Sequence, residues 1–223
     1  MLIDIHMLQN HAPSNLNRDD TGAPKDALFG NVLRARISSQ AIKRAIRRSA
    51  VFQDAFAESG LLAQRTRRLP SLLRQRLAQH DLDEEAIDLI VMRSREIGRE
   101  SGREVAEWTE AGDPETAQLI FLTDAEVDEL ARKLADLYRE LGPREFKKLK
   151  ADELTKRMGS SVARSVDIAM FGRMTTSVAF EDVQAAVQVA HAISTHRVET
   201  EFDYYTAVDD ISGEAGAGFI GDT

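Results

Sequence analysis

One short stretch constrains this chain more than any other. Asn31-Val-Leu-Arg-Ala-Arg-Ile37 leads directly into Ser38-Ser39-Gln-Ala-Ile-Lys-Arg-Ala-Ile-Arg-Arg48. The first part is a strand candidate with Arg34 and Arg36 on one face. Ser38-Ser39 supplies an N-cap for a helix. No Glu or Gln stands three residues after either serine, so the cap is not a capping box. At about 100° per residue, Gln40, Lys43, Arg44 and Arg47 share a helix face, and Ile42, Ala45, Ile46 and Ser49 lie opposite. A helix that buries the Ile/Ala stripe presents the cationic face outward. The N–H groups at its start are a further place for a phosphate.

Charge bears on that reading. The 223 residues hold 29 Lys and Arg against 37 Asp and Glu, a net of −8. Residues 1–50 nevertheless carry eight basic side chains and four acidic ones, net +4, leaving −12 for the other 173. A basic patch on an acidic chain fits a localised polyanion site, and it equally fits a solvated basic helix face. Apolar residues make up 43% and charged ones 30%, the balance of a globular chain with one large domain or two small ones. No stretch of about 18 uncharged apolar residues occurs, so no membrane partner is expected. The start, Met1-Leu-Ile-Asp-Ile-His6, does not resemble a secretory signal. The absence of cysteine excludes disulfides, thiolate zinc sites and cysteine nucleophiles, and fits a cytoplasmic location.

Elsewhere, Leu2–Leu8 alternates as a strand would, and residues 9–26 form a long polar loop. From about 55 to 157 helical spacing dominates, as in Val127…Leu130…Leu134…Leu137. Thr123-Asp-Ala-Glu126 predicts a capping box and Gly142-Pro143 a helix stop. Arg93–Arg103 is polar with two glycines, the composition of a mobile loop. Ala186–His196, with Val187, Val189, His191 and Ile193 in period two, favours a strand.

Catalytic patterns are weak. Gly216-Ala-Gly-Phe-Ile-Gly221 matches G-x-G-x-x-G but lacks the acid about 20 residues on, and reads as a flexible glycine loop. His191 and His196, five apart, suit neither a helical nor a strand metal pair and read as structural. Asp209-Asp210 lacks a third carboxylate at ligand spacing. Ser38, Ser39 and Ser177 lack a nucleophile motif. No cofactor is expected. The basic groups are the stronger signal: Arg18 and Lys25 on the loop, Arg34 and Arg36 on the strand, and Gln40, Lys43, Arg44 and Arg47 on the helix. Together they could follow one phosphate track without reading bases.

Ser14-Asn-Leu-Asn-Arg-Asp-Asp20, Lys25-Asp-Ala-Leu-Phe-Gly30 and Arg36–Arg47 closely resemble the CasC family, the repeated backbone subunit of the type I-E CRISPR surveillance complex, Cascade. Asp167–Met174, Ala190–His196 and Thr206–Asp210 agree in the same order. The resemblance implies an α+β fold: an RRM-like (ferredoxin-like) palm, a large helical fingers insertion and a thumb hairpin. These correspond to a first palm part at 1–54, fingers at 55–157, and a second palm segment with the start of the thumb at 158–223. It further implies a non-catalytic RNA-binding role in antiviral defence. Copies would stack head-to-tail along CRISPR RNA, beside other Cascade subunits, and reach target DNA through the guide. Arg18, Lys25, Ser38, Gln40, Lys43, Arg44 and Arg47 would hold the guide backbone, and Met174 would be the wedge beside a displaced base. From the residues alone Met174 is equally an ordinary core methionine. Family members continue past Gly221, so the palm is expected to be incomplete here. The alternative from another class is an RNA endonuclease using Asp19, Asp20 or Asp26.

Overall fold

Gly30 and Asn31 both adopt positive φ, 65° and 60°, and this pair sets the first sheet. They link β1 (Asp26–Phe29) to β2 (Val32–Ile37), which pair antiparallel from Phe29↔Val32 to Asp26↔Ala35. A two-residue turn with both φ positive matches the twist of a hairpin. The Gly-Asn signal was legible in the sequence, yet β1 falls partly within what reads there as a loop. The computed structural model describes residues 1–56, 58–97, 115, 116, 118–159, 165–175, 179–199, 202–208 and 215–222. Two units are distinguished: Met1–Ile46 with Val189–Thr223, and Arg47–Gln188.

In the first unit, β2 is followed by α1 (Ser39–Arg48), whose course crosses the unit boundary after Ile46. None of the α1 residues is buried. The expected burial of its Ile/Ala stripe is therefore corrected: Ile42 and Ile46 are half-buried and Ala45 is exposed. Short strands provide little apolar cover, and among the residues of this unit whose side chains are described, Ser38 alone is buried.

The strand expected over Leu2–Leu8 does not form either. Ile3 is 68% and Leu8 92% exposed, and no strand among the described residues pairs with the segment. Alternation without a ladder partner does not make a strand.

The second unit holds the apolar core. It begins with α2 (Ala50–Phe56), β3 (Ala63–Thr66), α3 (Leu69–Leu77) and α4 (Glu84–Ser94). It continues with β4 (Ile120–Thr123), α5 (Asp124–Lys148), α6 (Ala151–Met158) and α7 (Val166–Phe171). Leu69, Leu73 and Leu77 of α3 meet Ile87, Ile90 and Val91 of α4 and Val127, Leu130 and Leu134 of α5. The Thr123–Glu126 capping box is present with both of its reciprocal bonds. The two-stranded β3–β4 sheet, Ala63↔Thr123 to Thr66↔Ile120, is an addition to the helical pattern.

Gly142, at φ 71° and ψ 167°, ends the first helical stretch of α5, as the Gly142-Pro143 stop predicts, and a second stretch begins across the kink. Pro143 suits the first turn of the helix that resumes, and buried Phe146 anchors that half in the core.

The strand expected over Ala186–His196 contracts to β5 (Ala192–Ile193), which pairs with β2 to give the order β1-β2-β5. The N–H groups of Ala186 and Val187 instead bond the carbonyls of Ala169 and Met170 in α7. Donors used at a helix end are lost to a ladder. The hairpin of β6 (Phe202–Val208) and β7 (Ala215–Asp222) is antiparallel, with a register shift between Thr206 and Val208. Gly216–Gly221 lies within β7, which corrects its reading as a loop. Asp209, Asp210, Ser177 and the 98–103 part of the polar tract lie outside the described residues.

Candidate nucleic-acid interface

The start of α1 is closed by three different acceptors. Ser38 N–H donates to Asn17 Oδ1 at 2.9 Å, and Ser39 N–H donates to His191 Nδ1 at 2.9 Å. Ala41 N–H donates to the Ser38 hydroxyl at 3.3 Å. The cap expected at Ser38 is thus present. Ser38, Ser39 and Ala41 N–H are thus engaged within the protein, which corrects the reading of those three donors as open to a phosphate. His191 works here as an acceptor through Nδ1, a structural role consistent with its unsuited spacing for metal.

The basic side chains divide into free and engaged groups. Lys25, Lys43 and Arg44 make no side-chain hydrogen bond or ion pair among the described residues. Lys25 and Lys43 are half-buried, and Arg44 and Gln40 are exposed. Arg18 is exposed and donates from Nη1 to Gly22 O at 2.6 Å. The turn beneath it is tied by Asp19, whose Oδ1 accepts from the Thr21 hydroxyl and from Thr21 and Ala23 N–H. The Thr21 hydroxyl, then the backbone N–H groups, hold the Asp19 carboxyl below its usual range against a partial opposing desolvation.

Arg34 and Arg47 have other duties. Arg34 donates from Nε to Phe29 O at 3.0 Å and from Nη1 to Ser194 O at 2.9 Å, joining the hairpin to the segment after β5. Ser38, 6% exposed, serves its cap.

Arg47, in the second unit, pairs through Nε with Asp167 Oδ2 at 3.0 Å and donates from Nη2 to Ala63 O at 3.1 Å. Its guanidinium also lies 4.2 Å from the Phe121 ring centre. Asp167 Oδ1 accepts from Ala63 N–H, so both carboxylate oxygens are used in a buried setting. Asp167 lies 120 positions along the chain from Arg47, beyond the reach of local pattern.

Met174 of the second unit is 93% exposed, which sets aside the core-methionine alternative. Among the described residues no group of three or more His, Cys, Asp or Glu is placed to hold a metal ion, and no helix is long and apolar enough to cross a membrane.

A family model described as CT1975-like protein matches residues 3–223. The chain belongs to the CT1975-like family. That membership agrees with the CRISPR backbone resemblance carried by the Arg18, Lys25 and Arg36–Arg47 blocks. The family member is similar to a chain of a solved "CRISPR RNA-guided surveillance complex, pre-nicking", at 33% identity and a TM-score of 0.68, covering 94% of this chain and 57% of that one. It is also similar to a chain of a "CRISPR RNA-guided surveillance complex" at 31% identity and a TM-score of 0.59, covering 83% of this chain and 56% of that one. The chain thus spans little more than half the length of the structures it matches. No curated protein matches it.

Proposed function

We propose that the chain is a non-catalytic, type I-E backbone subunit that holds CRISPR RNA through its sugar-phosphate and polymerises head-to-tail along the spacer. The first unit is read as part of an RRM-like palm, the helical region as fingers and the β6–β7 hairpin as the thumb. Target DNA is then read by the guide, while the protein recognises backbone and shape, as in other RNA-guided systems. The observation that carries this reading is the set of cations without a protein partner among the described residues: Lys25, Lys43 and Arg44. Arg18 and Gln40 add exposed donors. Lys and Arg without a protein partner are suited to phosphate, and contacts to phosphate carry no sequence information. Membership of the family and likeness to subunits of RNA-guided complexes support the same reading.

The test uses the full-length protein with guide RNAs of equal length and unrelated spacer sequence. Equal affinities, falling together as salt rises, are expected. Affinity that follows base sequence overturns the proposal. Metal-dependent cleavage of bound RNA, abolished by Asp19→Ala, Asp20→Ala or Asp26→Ala, overturns its non-catalytic part.

A further inference from the structure

Met174 is almost wholly exposed, but the residue before it is among the most firmly held in the second unit. Arg173 is 5% exposed. Its Nη1 donates to Glu126 Oε1 at 2.7 Å and to Phe121 O at 3.1 Å, and its Nε donates to Glu181 O at 2.9 Å. Its guanidinium carbon lies 5.7 Å from the Phe180 ring centre. Glu126 is the capping-box residue of α5, so the ion pair ties this turn to the start of the longest helix.

The backbone is clamped as well. Arg173 and Val183 exchange both N–H···O bonds, at 2.9 and 2.8 Å. On the other side of Met174, Thr175 N–H donates to Asp182 Oδ1 at 2.7 Å. Gly172 has φ 81°, and a Cβ there would meet Val183 O at 3.0 Å, so the close approach of the two segments needs glycine. Both neighbours of Met174 are therefore fixed to residues 182–183, while its own side chain is left in water. Burying methionine would have been the stabilising use of that side chain. Fixing its base while exposing its tip suits insertion into something outside the chain, because a thioether makes favourable contacts with an aromatic ring.

We infer that Arg173 and Asp182 are positioning residues for Met174, holding it at a set height so that it enters beside a nucleobase of bound RNA. This inference rests on the guide-binding reading above. The experiment uses the complete surveillance complex assembled on guides carrying 2-aminopurine at successive positions, whose fluorescence rises where a base leaves the stack. Met174→Ala is expected to abolish the rise at the displaced positions. Asp182→Ala, an exposed change that leaves the core intact, is expected to lower it, and Asp182→Asn, which keeps an acceptor for Thr175 N–H, to restore it. Arg173→Lys, which loses the forked contacts, is expected to lower it too. Guide affinity stays within about a factor of two in the Asp182 variants, since no phosphate contact is removed. If Asp182→Ala equals the unmodified complex while Met174→Ala loses the signal, the positioning role is overturned and the wedge stands. If Met174→Ala changes nothing at any position, both are overturned.

Discussion

Replacing Lys43 and Arg44 together by alanine removes two cations that no protein group neutralises among the described residues. Each phosphate neutralised on a single strand contributes about 0.7 to the slope of log affinity against log salt. The double variant should therefore flatten the slope by about 1.4 per subunit. Between 50 and 200 mM salt, the unmodified protein should lose about sevenfold more affinity than the variant does. Fluorescence anisotropy of a labelled guide, titrated with full-length protein at four salt concentrations, reads this directly. Two unrelated spacers should give the same change. An unaltered slope, or one that changes for a single spacer, refutes the assignment of these side chains to phosphates. Melting temperature should hardly move, because neither side chain has a hydrogen-bond or ion-pair partner to lose among the described residues.

Arg47→Ala should behave in the opposite way: the slope stays, and stability falls by about 3 kcal/mol in a denaturant titration, since a buried Asp167 charge is stranded. That figure takes the lower end of the range for broken buried pairs because Arg47 remains 18% exposed. Met174→Ala should leave the melting temperature unchanged, as little surface is buried there; a large drop would place it in the core after all. Asp19 has its folded pKa depressed by the Thr21 hydroxyl and the turn N–H groups. Its contribution is therefore complete above the ordinary carboxylate pKa and is lost as pH falls through the depressed value. The Thr21 amide resonance should shift in that acid window, and Asp19→Asn should remove the shift.

Local signals were the ones that could be read from the residues. Ser38 capping α1, the Thr123–Glu126 box and the β2 strand all depend on neighbours within a few positions. The Gly30-Asn31 turn belongs to the same class, since both of its residues take positive φ. What could not be read depends on distant partners. Arg47 is drawn to Asp167 and Arg34 to Ser194, across 120 and 160 positions, and these contacts separate structural arginines from free ones in a segment where all look alike. The alternation of Leu2–Leu8 is real, but a strand also needs a neighbour, and the sequence pattern does not say whether one is at hand. Gly142-Pro143 shows the reverse case: the local break occurs, and burial of Phe146 lets the helix resume beyond it.

The most direct measurement is a structure of the full-length subunit assembled on its guide. The nitrogens of Arg18, Lys25, Lys43 and Arg44 should stand within about 3 Å of phosphate oxygens, the distance of charge-assisted hydrogen bonds. The base edges should remain open to a complementary strand. Those four side chains turned toward another protein surface, or laid against base edges, would contradict the proposal that this chain holds RNA by its backbone.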